Sequence, residues 1–456
     1  TFPLSLFGKL ILLNVKIDSF DNLPLISKKE AFNILSKPIS KLELSSDYYK
    51  AVFHLFKYPG PDTEDVLLEL VKSPSKENCV LIAKRKAIEV LAKHGCKKAI
   101  PAIINCLRSD DKYTVENASW ALQEMGCKDI DAMKLISNLL SDVNQNRRVL
   151  IQTLGNLGAV SELPHIKLLL EDKRVAPGVR GAAVVAVKKL SGDMSYIDLL
   201  STHLLLPNQN ERQCAVNDII DIGAVNLLPM LLKTPVAPSF RMRAMNSLWP
   251  DNQFYIGKIE LISTLDSIFL DDPNNLLLFE EEQLIEDELS LANSLCNTDF
   301  RRSYIALRRL SKKNPDDIWN ILSPKFDCLK TDYGALYFLM ILFRSVEGWK
   351  KEHLKIIKEI TLSCLSSNWP EHIKFKPVAI ITLIKLFPIY SLQYIPAFLD
   401  EERTPFWANR YASLLAIELY VLNKIHSFDL ETLDRLKEDS HHFVRSKIQK
   451  INCKRI

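Results

Sequence analysis

The sequence predicts an all-α protein, an α-solenoid of stacked helical pairs with a concave binding face, and two observations carry that prediction. Glycine supplies only 13 of 456 residues, less than half the usual share of about 7%. Short apolar helices ending in a small residue also recur: "AIEVLAKHG" at Gly95, "ASWALQEMG" at Gly126, "LIQTLGNLG" at Gly158, "AVVAVKKLS" at Ser191 and "AVNDIIDIG" at Gly223. The spacings are 31, 32, 33 and 32 residues. Helix pairs at such a period cannot bury their apolar faces alone, so they must stack.

Taken in order, residues 1–19 open with "TFPLSLFGKLILLNVK", an apolar run broken by Lys9. It is shorter than the ~20 residues a membrane span needs and has no small-residue cleavage site. The stretch reads as an extension or trimmed leader, such as a plastid transit remnant. Residues 20–250 form the repeat array. Four positions before each small residue stand Leu91, Leu122, Leu154, Val187 and Ile219, and eight before stand Ala87, Ala118, Leu150, Ala183 and Ala215. Large then small at a helical spacing is a packing face. A glycine after the last turn is the expected left-handed cap, and a second apolar helix such as "AIPAIINCL" or "AMKLISNLL" follows at once. A sixth unit from Arg241 keeps Ala244 and Leu248. Residues 251–290 mix polar turns with an acidic run and read as an irregular connector; over 291–456 the helical pairs return in degenerate form. The runs "ALYFLMILF" and "VAIITLIKLF" are too short to span a bilayer and read as buried helices, so no membrane span is expected.

Eleven residues before each small residue lie Lys84, Val115, Arg147, Arg180 and Arg212. Such a period with a cation there resembles HEAT repeats, and "EDSHHFVRSKIQKI" near the end has the same shape, with Asp439 ahead of Val444 and Arg445. The resemblance implies that this arginine pairs with the aspartate of the preceding turn, as Asp142 is expected to do for Arg147.

Charge excludes one large class of partner. With 59 basic and 55 acidic residues the net charge is +4, too small for affinity built on a phosphate backbone, so no nucleic acid is expected. A HEAT-fold DNA glycosylase, which would also use an exposed Trp, Asp and Arg, would need a basic stripe. The nine cysteines are scattered without a CxxC pair and read as reduced thiols. There is no Gly-rich phosphate loop, no GxSxG elbow and no HExxH helix. His441 and His442 read as solvated rather than metal ligands, and no metal site is expected.

What remains is residues 110 to 122, "DDKYTVENASWAL". Val115, Ala118, Leu122 and Met125 form the core face of its helix, which leaves Tyr113, Glu116, Asn117 and Trp120 on another stripe. In the sister repeats Trp120 is matched by Glu89, Gln152, Val185 and Asn217, so the repeat does not require a tryptophan there. Asp110 and Asp111 precede the helix, where carboxylates cap backbone N–H groups. A flat aromatic among acids, with Arg147 and Arg148 one repeat on, suits a planar ligand with acidic tails. Packing of Trp120 and simple capping by the aspartates is the bland alternative.

Three blocks carry a family resemblance: "SSDYYKAVFHLFKYPGPDTEDVLLELV" at 45–71, "AKRKAIEVLAKHG" and "YTVENASWALQEMG". With the leader "FDNLPLIS" from Phe20 they resemble the E/F-type phycobilin lyases, most closely those serving phycoerythrin. The resemblance covers roughly residues 20–250 well and the remainder by general character, and it is specific in the three quoted blocks. It implies an enzyme that joins phycoerythrobilin by a thioether to a cysteine of a phycoerythrin subunit, in a cyanobacterial cytoplasm or a plastid stroma. Some relatives also isomerise the bilin, and some act with a second HEAT-repeat subunit. The bilin would be a substrate, and no cofactor is implied. Asp111 or Glu116 would then steady the cationic bilin through its pyrrole N–H groups, Tyr113 and Trp120 would stack on its rings, and Arg85, Arg147 or Arg148 would take its propionates. A non-catalytic HEAT-repeat chaperone or adaptor for phycobiliprotein assembly is the alternative.

Overall fold

The structure, a computed structural model, describes residues 26–249, 253–257, 259–278, 288–367, 373, 375–422 and 431–453. The stretch 1–19 lies outside the described residues. The chain divides into two compact units, with the break between His203 and Leu204 rather than near residue 250.

The first unit is helical throughout its described length. Its helices are α1 (Lys28–Ser36), α2 (Asp47–Leu55), α3 (Pro61–Lys72), α4 (Asn78–Lys93), α5 (Ile100–Cys106), α6 (Lys112–Glu124), α7 (Ile130–Asn138), α8 (Arg147–Leu157), α9 (Leu163–Glu171), α10 (Pro177–Ser191) and α11 (Asp198–His203). The first helices of successive repeats pack side by side, α4 on α6, α6 on α8 and α8 on α10. Leu91, Leu122, Leu154 and Val187 are all fully buried, as are Ala87, Ala118 and Ala183, so the packing face is where the periodicity puts it. Gly95, Gly126 and Gly158 take the left-handed conformation that closes each first helix. In the fourth repeat the cap is Gly192, with φ 77°, one residue beyond Ser191; serine ends the helix there, and glycine makes the turn. Between α8 and α10 the backbones approach closely. A Cβ on Gly155 would stand 3.1 Å from both Cα and Cβ of Ala186.

The second unit holds α12 (Gln209–Ile222), α13 (Leu228–Leu231), α14 (Pro238–Leu248), a hairpin of β1 (Tyr255–Ile256) and β2 (Ile259–Glu260), then α15 (Leu261–Leu270), α16 (Glu288–Leu295), α17 (Phe300–Leu310), α18 (Pro315–Leu322), α19 (Phe326–Leu329), α20 (Tyr333–Ser345), α21 (Lys351–Ser366), α22 (Lys376–Leu386), α23 (Pro388–Ser391), α24 (Ile395–Leu399), α25 (Trp407–Tyr420), α26 (Glu431–Asp434) and α27 (His442–Cys453). Strands β1 and β2 pair antiparallel, Tyr255 opposite Glu260. The stretch expected to be a connector contains a core helix, because Leu261, Ile262, Leu265, Ile268 and Phe269 recur at helical spacing in α15 and are all buried. The apolar runs expected to be buried helices are α20 and α22.

Buried ion pairs tie this unit together. Arg241 Nη2 donates to Asp271 Oδ1 at 2.6 Å and to Tyr304 Oη at 2.8 Å, while the hydroxyls of Tyr304 and Tyr337 both donate to Asp271 Oδ2. Asp271 ends α15 in a left-handed conformation, φ 44°, which side chains rarely adopt. Arg410 clasps Asp439 through Nε at 2.6 Å and Nη2 at 2.8 Å, and its Nη1 reaches back to the carbonyls of Thr404 and Pro405. His441 follows that clasp. It stacks on Trp407 at 4.2 Å and 8°, so the expected solvated pair of histidines is packed instead, and burial lowers the His441 pKa to about 3.

Candidate functional site

The repeat cations show what a HEAT turn normally asks of them. Lys84 donates to the Ser73 carbonyl, Arg180 Nε to the Leu170 carbonyl at 2.9 Å, and Arg212 Nη1 to the carbonyls of Leu206 and Pro207. Each closes the end of the helix or turn before it, where carbonyls lack partners. Aspartates pair forward instead: Arg410 with Asp439, Arg241 with Asp271, and Arg85 with Asp111. The expected Asp142–Arg147 pair does not form. Asp142 accepts from the Asn144 backbone and side chain and the Gln145 amide, folding its own turn, and Arg147 is half-buried without a hydrogen bond or ion pair from its guanidinium among the described residues.

Of the residues singled out in the sequence, three converge. Asp111 is the N-cap of α6 and accepts from Thr114 N at 3.0 Å and Thr114 Oγ1 at 2.5 Å. Its two oxygens also receive Arg85 Nε and Nη2 from α4, each at 2.9 Å, a paired geometry that fixes the guanidinium plane. The Arg85 guanidinium carbon lies 4.8 Å from the centre of the Tyr113 ring, within the range of cation–π attraction. Burial would push the Asp111 carboxyl up, but the Thr114 hydroxyl and the Arg85 guanidinium outweigh it and hold the group below the usual carboxylate range. Asp111 is therefore an anion with both oxygens engaged, which suits it to position Arg85 and not to donate a proton.

Two turns along the same stripe stands Trp120, about 10.5 Å from Tyr113 by helix rise. Lys93, the last residue of α4, lies with its Nζ 5.0 Å from the centre of the indole and 2.8 Å from Glu124 Oε2. Both rings thus lean toward α4. The other side of α6 meets α8, where Asn156 donates to Gln123 Oε1 at 2.8 Å and Lys189 of α10 donates to Asn156 Oδ1 at 2.7 Å.

Two expectations need correction. Glu116 is not on the exposed stripe; it is only 4% exposed, because it lies two turns before Gln123 on the side of α6 that a neighbouring helix covers. A single amphipathic helix has one buried face, whereas a helix in the middle of a stack has three. Arg148 is also committed, with Nη1 donating to the Gly178 carbonyl at 2.6 Å in the first turn of α10. The sequence reading missed Lys93. A signal for it existed, since Lys93 and Glu124 carry opposite charges one repeat period apart.

Among the described residues no group of His, Cys, Asp or Glu is arranged to hold a metal ion, and no helix is long and apolar enough to cross a membrane. All nine cysteines are free thiols. Burial and a hydrogen bond to Glu64 push Cys96 up to about 11, and burial pushes Cys364 up to about 12, so neither is a ready nucleophile.

The repeats and their clasps define a HEAT-repeat scaffold that displays cation–aromatic pairs along one seam. A family model of HEAT repeats matches residues 64–155. The chain is 34% identical over 386 residues to the bilin biosynthesis protein CpeY of Synechococcus sp. (strain WH8020), covering 84% of this chain and 92% of that protein. It is 28% identical over 408 residues to the uncharacterized phycocyanin operon protein Y of Pseudanabaena tenuis (strain PCC 7409), covering 88% and 93%. Over 180 residues it is 31% identical to the phycocyanobilin lyase subunit alpha of Thermosynechococcus vestitus, covering 36% of this chain and 63% of that protein. The chain belongs to the E/F-type family of HEAT-repeat phycobilin lyases.

Proposed function

We propose that this protein is a phycobilin lyase that attaches phycoerythrobilin through a thioether to a cysteine of a phycoerythrin subunit. The observation that carries this reading is the 34% identity spanning 92% of a bilin biosynthesis protein. The reaction is an addition: the acceptor thiol loses its proton, sulfur bonds to the exocyclic double-bond carbon of the bilin, and a proton joins the adjoining ring carbon. Nothing is oxidised or reduced. The nucleophile belongs to the phycobiliprotein, in keeping with the raised thiols of Cys96 and Cys364.

The chain's share of the work is to hold a flexible ligand in one geometry, which replaces a costly search by a prepaid one. Tyr113 and Trp120 offer ring faces to the pyrroles, and Arg85 offers a propionate the guanidinium N–H donors that Asp111 does not take. Asp111 keeps Arg85 in that plane. Arg147 adds positive charge beyond α6, and Glu116 lies buried behind the stripe. The name of the phycocyanobilin lyase subunit alpha supports a second HEAT-repeat subunit as partner. Simple ligation is proposed over ligation with isomerisation, since the sequence lacks an evident cysteine motif of the isomerising branch.

The test is co-expression with the enzymes of phycoerythrobilin synthesis and single phycoerythrin subunits. The expected result is a coloured subunit whose absorbance survives denaturation and whose formation falls at least tenfold in W120A. A chain that binds the bilin and stabilises the subunit without covalent colour would instead be an assembly chaperone.

A further inference from the structure

We infer that Lys93, paired with Arg85, makes the α4–α6 seam a receptor for a planar ligand carrying two carboxylates, with Glu124 as the resident anion that the second carboxylate displaces. This rests on the lyase reading and names a ligand-binding residue that the reading does not need. The two cations sit eight residues apart on α4 and face two aromatics seven residues apart on α6, giving cation–aromatic pairs at steps of about 12 Å and 10.5 Å. One pair is Arg85 with Tyr113, the other Lys93 with Trp120.

Each cation already holds an anion of α6 or its cap, and the two holds differ. Asp111 grips Arg85 through two parallel bonds and is itself bound by Thr114. Glu124 meets Lys93 through one oxygen at 2.8 Å, with 44% of the lysine and 30% of the glutamate side chain exposed. A single-contact, solvent-screened pair is weak and exchanges readily. Arg85 can meet a carboxylate while staying in place, because a guanidinium has five N–H donors and Asp111 uses two. Lys93 instead changes partner. The other cations of this surface are less suited: Arg148 is bonded to Gly178 of α10, and Lys86 pairs with Glu89 at 2.9 Å while lying over Phe53.

The experiment measures binding of phycoerythrobilin and of its dimethyl ester to the full chain by absorbance titration, for the parent, K93Q and E124Q. The parent is expected to prefer the diacid. Lys93→Gln should weaken diacid binding about three- to tenfold, as loss of one charge-assisted hydrogen bond at a part-exposed site implies, and leave the ester unchanged. Glu124→Gln should tighten diacid binding severalfold by removing the competitor. Opposite signs at the two ends of one ion pair cannot come from a structural role, which would make both variants weaker alike. If the parent prefers the diacid and both variants keep that preference, the assignment of Lys93 is overturned and the lyase reading stands. If the parent binds neither form while the co-expression test still yields covalent colour, this seam is not the ligand site and the inference fails alone. If that test fails as well, both fall.

Discussion

The same arginine–aspartate clasp occurs in both units and does different things in each. Arg410 and Asp439 are 1% and 0% exposed at their side chains, whereas Arg85 and Asp111 are 22% and 16% exposed, with the Arg85 guanidinium lying over the half-open ring of Tyr113. Bond lengths and partner types nearly match. Burial is the difference: a buried pair that loses one partner strands a charge, while the half-open pair keeps its aspartate and still leaves guanidinium N–H donors that Asp111 does not use.

The comparison breaks first at its buried end. Asp439→Asn should cost the second unit about 3 to 5 kcal/mol, because Arg410 would keep its charge without its counterion; hydrogen exchange at α25 and α27 under urea would read this out unit by unit. A loss under 1 kcal/mol would mean that the Thr404 and Pro405 carbonyls already satisfy the arginine. The same substitution at the open clasp, Asp111→Asn, should cost about 1 kcal/mol or less, because asparagine caps a helix about as well as aspartate and the lost ion pair is part-exposed, measured as protection of the first unit. Its larger effect should fall on bilin binding, since Arg85 would no longer be held in plane.

Acid separates the two clasps as well. His441 has a folded pKa of about 3 against an ordinary value of about 6.5. Its contribution to stability is fully present above about pH 6.5 and is lost as pH falls toward 3, because the unfolded chain takes up the proton first. The groups around it are His442, Asp439, Arg410 and Arg445. Asp111 is also lowered, so its contribution persists above the ordinary carboxylate value of about 3.9 and is lost only below it. Stability of the second unit in H441F should therefore fall less steeply between pH 6.5 and 3 than in the parent. His203, lowered to about 4 by burial and then by Arg180 and Arg148, gives the first unit a similar slope, so the comparison must be made within one unit. The smallest effect is expected at Asp110, whose pair with Lys76 is open to water. Thermal melting of D110N should match the parent.

The fold was legible because its signals are local and repeated. Leu122, Leu154 and Ala118 lie in the core where counting back from a glycine puts them. The site was legible only in part. Trp120 and Tyr113 stand out because an exposed stripe has no packing reason for aromatics, and Arg85 lies within a block already marked by the resemblance. Glu116 was misplaced since one helix's periodicity says nothing about neighbours on both flanks. The Asp142–Arg147 pair failed for a related reason: the sequence gives the separation of two charges but not which turn folds back on itself. Lys93 was overlooked because its meaning depends on Trp120 and Glu124, a repeat away.

The Arg241, Asp271, Tyr304 and Tyr337 network bears on how such proteins diverge. Arg241, Tyr304 and Tyr337 share the one carboxylate of Asp271, which is held in an uncommon backbone conformation, so no single substitution leaves the others satisfied, and descendants inherit the set whole or replace it together. Arg85, Lys93 and Trp120 face no such constraint. Each stands at a half-buried or exposed position, so the α4–α6 seam can change one residue at a time while that network stays fixed.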